Sequence, residues 1–213
     1  KVLPRPETQA SLMIYGPDGR QAVAIMARAL GSAFEVTGAW HSSRTRAGYP
    51  VTILRVEGFE ASVAYRVERL KSLIAPMIAD QSSHEITVMR DAPEVAAQWR
   101  SICDLGEQDG TPFDMWKIST KPSDAPGLVA KLPDGTRYMF DWGGGLIWVI
   151  SEATGSDLRT ILGQFGGHAT LVHSLAAPGV ARFQPDPAPL ARLSQGLRQK
   201  FDPRGILNPG LMG

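Results

Sequence analysis

SLMIYGPDGRQAVAIMARALGSAF, residues 11–34, changes its apolar period part-way along. Ser11 to Tyr15 is a short apolar run of strand type. Pro17-Asp18-Gly19 then makes a turn, since proline presets one backbone angle and glycine tolerates the left-handed one. Beyond it Val23, Met26, Ala27, Leu30 and Phe34 recur at helical spacing, which predicts an amphipathic helix over residues 20–33. Strand, tight turn and helix open the chain, and the same grammar continues outward. Residues 36–40 and 51–56 read as strands. Val63, Val67, Leu70 and Ile74 stripe a helix over 60–74. The next strand is 84–90, after a loop at Gln81-Ser82-Ser83.

The order starts again at strand 84–90, which helix 93–105 follows. Residues 115–119 read as a strand, 124–131 as a short capped helix, and 137–142 and 146–151 as strands on either side of Gly143-Gly144-Gly145. Leu158, Ile161, Leu162 and Phe165 mark a helix, 168–175 a strand, and Leu190, Leu193, Leu197 and Phe201 a last helix. This order predicts an α+β fold, an antiparallel sheet with helices packed on one face, built from two ferredoxin-like halves. No sequence repeat accompanies the repeated order.

Composition narrows the function. The 213 residues carry 22 basic and 21 acidic side chains. That lacks the basic excess of a nucleic-acid surface, so no nucleic-acid partner is expected. No apolar run is long enough to span a bilayer. The single cysteine, Cys103, forbids an internal disulfide and fits a reducing compartment. It falls on the apolar stripe of its helix, so a buried, inert thiol is expected. The chain opens KVLPRPE with Met13 as its first methionine, which reads as a fragment with a further domain upstream.

Four stretches could carry chemistry. The Gly143-Gly144-Gly145 run matches neither a P-loop nor a dinucleotide fingerprint and reads as a hairpin turn that lets another backbone come close. Gly166-Gly167-His168 ends a helix and starts a strand. His168 and His173 are five apart, which on a regular strand places them on opposite faces, so one shared metal ion is not expected. Either has the near-neutral pKa of a general acid or base, and either also serves as a structural histidine. Trp116 and Lys117 face opposite sides of their strand. Lys117, Lys121, Arg44 and Arg46 are candidates for an anionic ligand. Last, Phe201 to Gly210 (FDPRGILNPG) stops its helix at Pro203 and ends in an Asn-Pro-Gly turn with free amide groups.

That terminal segment resembles the end of FAD-linked oxidases of the vanillyl-alcohol-oxidase type. WKISTKPSDAP (116–126), FDWGGGLIWV (140–149) and GGHAT (166–170), together with KVLPRP at the start, are similar to the FAD-binding E subunits of glycolate oxidases. The resemblance implies a C-terminal cap domain over residues 1–213. Residues 1–6 would end the strand leaving an N-terminal FAD-binding domain, and 201–213 would be a tail returning to it. It further implies that FAD is bound mainly by that other domain, with Asn208, Pro209 and Gly210 on the flavin side. His168 and His173 become the catalytic candidates, with no metal, since the family's Gly-Asp-Gly-Asn stretch and later glutamate are missing here. The implied activity is oxidation of a small 2-hydroxy acid, glycolate, to glyoxylate. The implied partners are a second flavoprotein subunit and an iron–sulfur subunit, the latter holding the clusters for which this chain has no cysteine set. The location implied is the cytoplasm, with membrane association through the complex. The alternative is a non-catalytic interaction subunit of the same complex.

Overall fold

The computed structural model describes residues 5–45, 47–79, 84–105, 113–152, 155–174 and 179–207. The expected turn at Asn208-Pro209-Gly210, the opening residues 1–4, Arg46 and the loop at 81–83 lie outside these.

Eight strands form one antiparallel sheet. They are β1 (Thr8–Tyr15), β2 (Gly38–Ser42), β3 (Val51–Gly58), β4 (Glu85–Met89), β5 (Asp114–Thr120), β6 (Arg137–Asp141), β7 (Leu146–Ser151) and β8 (Gly167–His173). The helices are α1 (Gly19–Leu30), α2 (Glu60–Ile78), α3 (Ala92–Cys103), α4 (Ala125–Val129), α5 (Leu158–Leu162) and α6 (Ala188–Phe201). Strand order is β4-β1-β3-β2-β6-β7-β5-β8. Read outward from the centre, β2-β3-β1-β4 and β6-β7-β5-β8 are the same path taken twice. The two ferredoxin-like halves are therefore present, and they meet along β2 and β6.

Local chemistry explains where the helices begin. Asp18 accepts from the Gln21 backbone N–H at 2.8 Å, and the Gln21 side chain accepts from the Asp18 N–H at 3.2 Å, a reciprocal capping box at the start of α1. Asp91 caps α3 through the Glu94 N–H at 2.9 Å. α4 follows a 3-10 turn at Pro122–Asp124 and has no side-chain cap, so the capping expected there is not made.

The main core lies on one face of the sheet. Leu12, Ile14 and Leu54 of the first half and Trp116, Phe140 and Val149 of the second bury under α1, α2, α4 and α5. α3 takes the other face. Val95 and Trp99 pack with Val51 and Ile53 of β3 and with Met13 and Tyr15 of β1, the alternate residues of those strands. Trp99 Nε1 donates to Ser11 Oγ at 2.9 Å. Cys103 is exposed rather than buried. The inward face of α3 narrows to Val95 and Trp99 with Ile102 partly covered, so a residue one place further round the last turn looks outward.

At the junction of the halves, β2 pairs with β6 through only His41 with Phe140 and Ser42 with Met139. His41 is fully buried there, its Nδ1 3.0 Å from Thr52 Oγ1 and its ring stacked on Phe140. Burial holds its pKa down to about 3, against the opposing charge of Asp18 and a backbone contact at Val51. α6 buries no residue, and Leu193, Leu197 and Phe201 are all exposed.

Candidate functional site: the open face of the second half

The face that α3 covers in the first half carries no described helix in the second. The register assigns its residues. Lys117 lies between Trp148 on β7 and Thr170 on β8. One row along, Ser119 lies between Leu146 and His168; one row the other way, Met115 lies between Ile150 and His173. Trp116 and Ile118, the alternate residues of β5, are buried in the main core. The expectation that Trp116 and Lys117 face opposite sides is met.

The two histidines were expected on opposite faces, and here the structure differs. The β5–β8 register slips between Met115 and Trp116, so one extra β8 residue is accommodated beside Val172. Met115 and Ser119 are four apart and share a face, so their partners His173 and His168 do too. His173 also contacts Phe113, at 5.2 Å between ring centroids, another residue of the Met115 face. Four residues of strand, roughly 13 Å, separate the two imidazoles' rows, so they serve two places on one surface rather than one atom.

Several devices fix this surface. Gly167 precedes His168 because a Cβ at Gly167 would stand 2.0 Å from the Ser119 carbonyl oxygen. Only glycine lets β8 start flush against the end of β5. Buried Asp114 accepts from Gly155 N at 2.7 Å and from the Ser174 hydroxyl, which ties down the chain just beyond His173. On the outer edge of β8, the Leu171 N–H donates to the Arg182 carbonyl at 2.8 Å, and the Ala169 N–H to the Gln184 side chain at 3.0 Å.

The three-glycine run is the expected hairpin turn between β6 and β7. Cβ atoms at Gly143 and Gly144 would come within 3.1 Å of Leu30 and 3.0 Å of Val23, so the turn is pressed against α1. Trp142 just before it is 64% exposed and held at φ +52°. That backbone region is costly for a bulky side chain and recurs at binding sites. The Asp141 carboxylate accepts from its N–H at 2.7 Å. Lys117 Nζ lies 5.8 Å from the ring of Trp142 and 5.8 Å from that of Trp148.

The structure thus brings Lys117, Trp142, His168 and His173 onto one face. Lys121 and Arg44 are exposed in loops after β5 and β2. Asn208, Pro209 and Gly210 lie outside the described residues. Sequence reading missed Trp148 and Thr170, although alternation along β5, β7 and β8 marks both as partners of Lys117. Among the described residues no group of His, Cys, Asp and Glu side chains is arranged to hold a metal ion, and no helix is long and apolar enough to cross a membrane.

No family model matches the chain. A search of curated proteins finds the glycolate oxidase subunit GlcE of Escherichia coli (strain K12), 42% identical over 124 residues, 56% of this chain and 32% of that protein. The match therefore spans about a third of the relative. Among solved structures, an alkyldihydroxyacetonephosphate synthase superposes with a TM-score of 0.51 over 98% of this chain and 45% of its own, at 12% identity. It shows a shared fold and no more. Glucooligosaccharide oxidase from Acremonium strictum scores 0.37, too low to add to it. By sequence this chain is similar to the E subunit of glycolate oxidase, as its motifs imply, and by fold to the synthase.

Proposed function

We propose that this chain is the cap portion of an FAD-containing subunit in a glycolate oxidase or dehydrogenase complex, with the open face of its second half turned toward flavin and substrate. The observation that carries the reading is the contrast between the faces. One side of the sheet carries the main core and the other is covered by α3 in the first half, whereas no described helix covers the surface of the second half that bears His168, Lys117 and the exposed Trp142. Sequence similarity to a glycolate oxidase subunit supplies the reaction class.

The donor set fits a cap rather than the main flavin pocket. Indoles, imidazoles and one ammonium can cover a flat ring system, whereas no described loop has the glycine spacing that cradles a pyrophosphate. FAD, when bound, would accept the electron pair leaving the hydroxy acid. Of this chain's own residues, His168 takes the role of general base toward the substrate hydroxyl, with Ser119 opposite it on β5. His173, two rows away beside Phe113, lies at the rim. Residues 1–6 and 201–213 act as the two connections to the flavin-binding domain, with Asn208, Pro209 and Gly210 on its flavin side. A second flavoprotein subunit and an iron–sulfur subunit complete the complex, in the cytoplasm or held at the membrane through those partners.

The test is the absorbance of the full-length protein, co-expressed with its partners and mixed anaerobically with glycolate. Flavin bleaching on glycolate, lost at least a hundredfold in rate in His168→Ala, is the expected result. Absence of flavin from the full-length protein would overturn the reading.

The uncovered leucines of α6 favour a second reading, an interaction subunit that holds the complex together without turning over substrate. It predicts normal assembly with partners and flavin that glycolate never bleaches. Loss of assembly in a Leu193→Glu, Leu197→Glu variant separates that role from catalysis.

A further inference from the structure

Three features of Lys117 coincide. Its ammonium is flanked at equal distance by two indole rings, Trp142 and Trp148. No carboxylate of the described residues forms an ion pair with it, whereas Arg55, Arg66, Lys71, Arg90 and Arg159 each have one. One of its two walls, Trp142, stands in a left-handed backbone conformation on a turn pressed against α1.

Indole faces attract a cation but accept none of its N–H bonds in the ordinary sense, so the three donors of the ammonium remain available. Partial removal from water by two rings strengthens whatever anion meets them. We infer that Lys117 binds the carboxylate of a small acid and is the residue that orients the substrate on the open face. Thr170 lies across from it on β8, and His168 lies one row on. Two residues of strand separate those rows, about 7 Å. The ligand class is therefore a small carboxylic acid, held at its carboxylate by Lys117, with His168 on the neighbouring strand.

This assignment rests on the reading of the open face as substrate-facing, and its test separates the two. Oxalate, an acid of this size that cannot give up a hydride, is titrated into the full-length protein while indole emission is followed. The expected result is a saturable change, weakened at least tenfold in Lys117→Met and restored to within about threefold in Lys117→Arg, with unchanged thermal melting of both variants. Sodium chloride at matched ionic strength should give no saturable change. Equal oxalate affinity in Lys117→Met and wild type, or no saturable response in wild type, would overturn the assignment. If Lys117→Met loses oxalate while glycolate never bleaches a flavin, the anion site stands and the oxidase reading falls. If glycolate bleaches the flavin with the same half-saturation in Lys117→Met, the oxidase reading stands and the role of Lys117 falls.

Discussion

The first and second halves of the sheet follow the same strand path, yet they treat their outer faces differently. In the first, α3 lays Trp99 against Gly38, so closely that a Cβ there would meet the ring at 2.6 Å, and the Arg55 guanidinium lies 4.7 Å from the ring centroid. In the second, no described helix crosses β5 and β7, and the indoles stay near solvent beside a lysine. The lesson is where to look for function in a doubled fold. The half that finished its packing gives no surface to a ligand there, and the half whose outer face no described helix covers is the one to which the proposed ligand site is assigned.

The comparison is broken most directly by exchanging tryptophans for small residues in each half. Trp99→Ala should destabilise the full-length protein by about 3–5 kcal/mol in urea unfolding, since it removes a buried ring and leaves Ser11 without its donor. Comparable loss from Trp142→Ala would erase the distinction between the halves.

The seam supplies the next test. His41 takes a proton in the unfolded chain below about pH 6.5 but in the folded one only near pH 3. Between those values the unfolded state binds more protons, so stability falls as pH drops through this window and is flat above it. At pH 4 the loss should be on the order of 3 kcal/mol, and His41→Asn should flatten that limb of the stability–pH curve. An identical limb in the variant would place the acid sensitivity elsewhere.

Gly38→Ala probes how tightly α3 is seated. A methyl at the Trp99 ring should cost about 1–3 kcal/mol, read as a lower melting temperature. At Trp142 the sign reverses. Trp142→Gly relieves the left-handed backbone at an exposed site and should raise stability by up to about 1 kcal/mol while weakening oxalate binding. Stability bought at the expense of the ligand is what a site under strain predicts, and a loss of both would argue that Trp142 is structural. Smallest of all, Leu193→Ala on α6 should change unfolding of the isolated polypeptide by less than about 0.5 kcal/mol, since that side chain is exposed.

Much of this architecture was legible in the chain. The Asp18-x-x-Gln21 box, the helical spacing of Val63, Val67, Leu70 and Ile74, and the alternation around Trp116 and Lys117 are local signals. Each is set by neighbours within a turn or a pleat. The return of strand, helix and strand pair predicts two ferredoxin-like halves, but the second begins at β5 rather than at residue 84, because β4 pairs with β1 and completes the first. The motifs around Lys117, Trp142 and His168 identified the stretches that the sheet then placed together.

What escaped the sequence depends on partners far along the chain. A bulge beside Val172 exists only because β8 pairs with β5 out of step at Met115, and period-two counting has no knowledge of that partner; so the histidines were assigned to opposite faces. Cys103 is exposed where the sequence predicts burial, because helical spacing gives a stripe but not the width of surface that α3 finds beneath it. That α3 would cross to the other face of the sheet, and that His41 would be sealed where β2 meets β6, followed from the way two halves close on one another. The sequence determined which elements form and which residues alternate across them, because dihedral preferences and side-chain period are local. Only the tertiary structure decided which face stays open and which side chains share it, because register, bulges and covering helices are settled by contacts between segments a hundred residues apart.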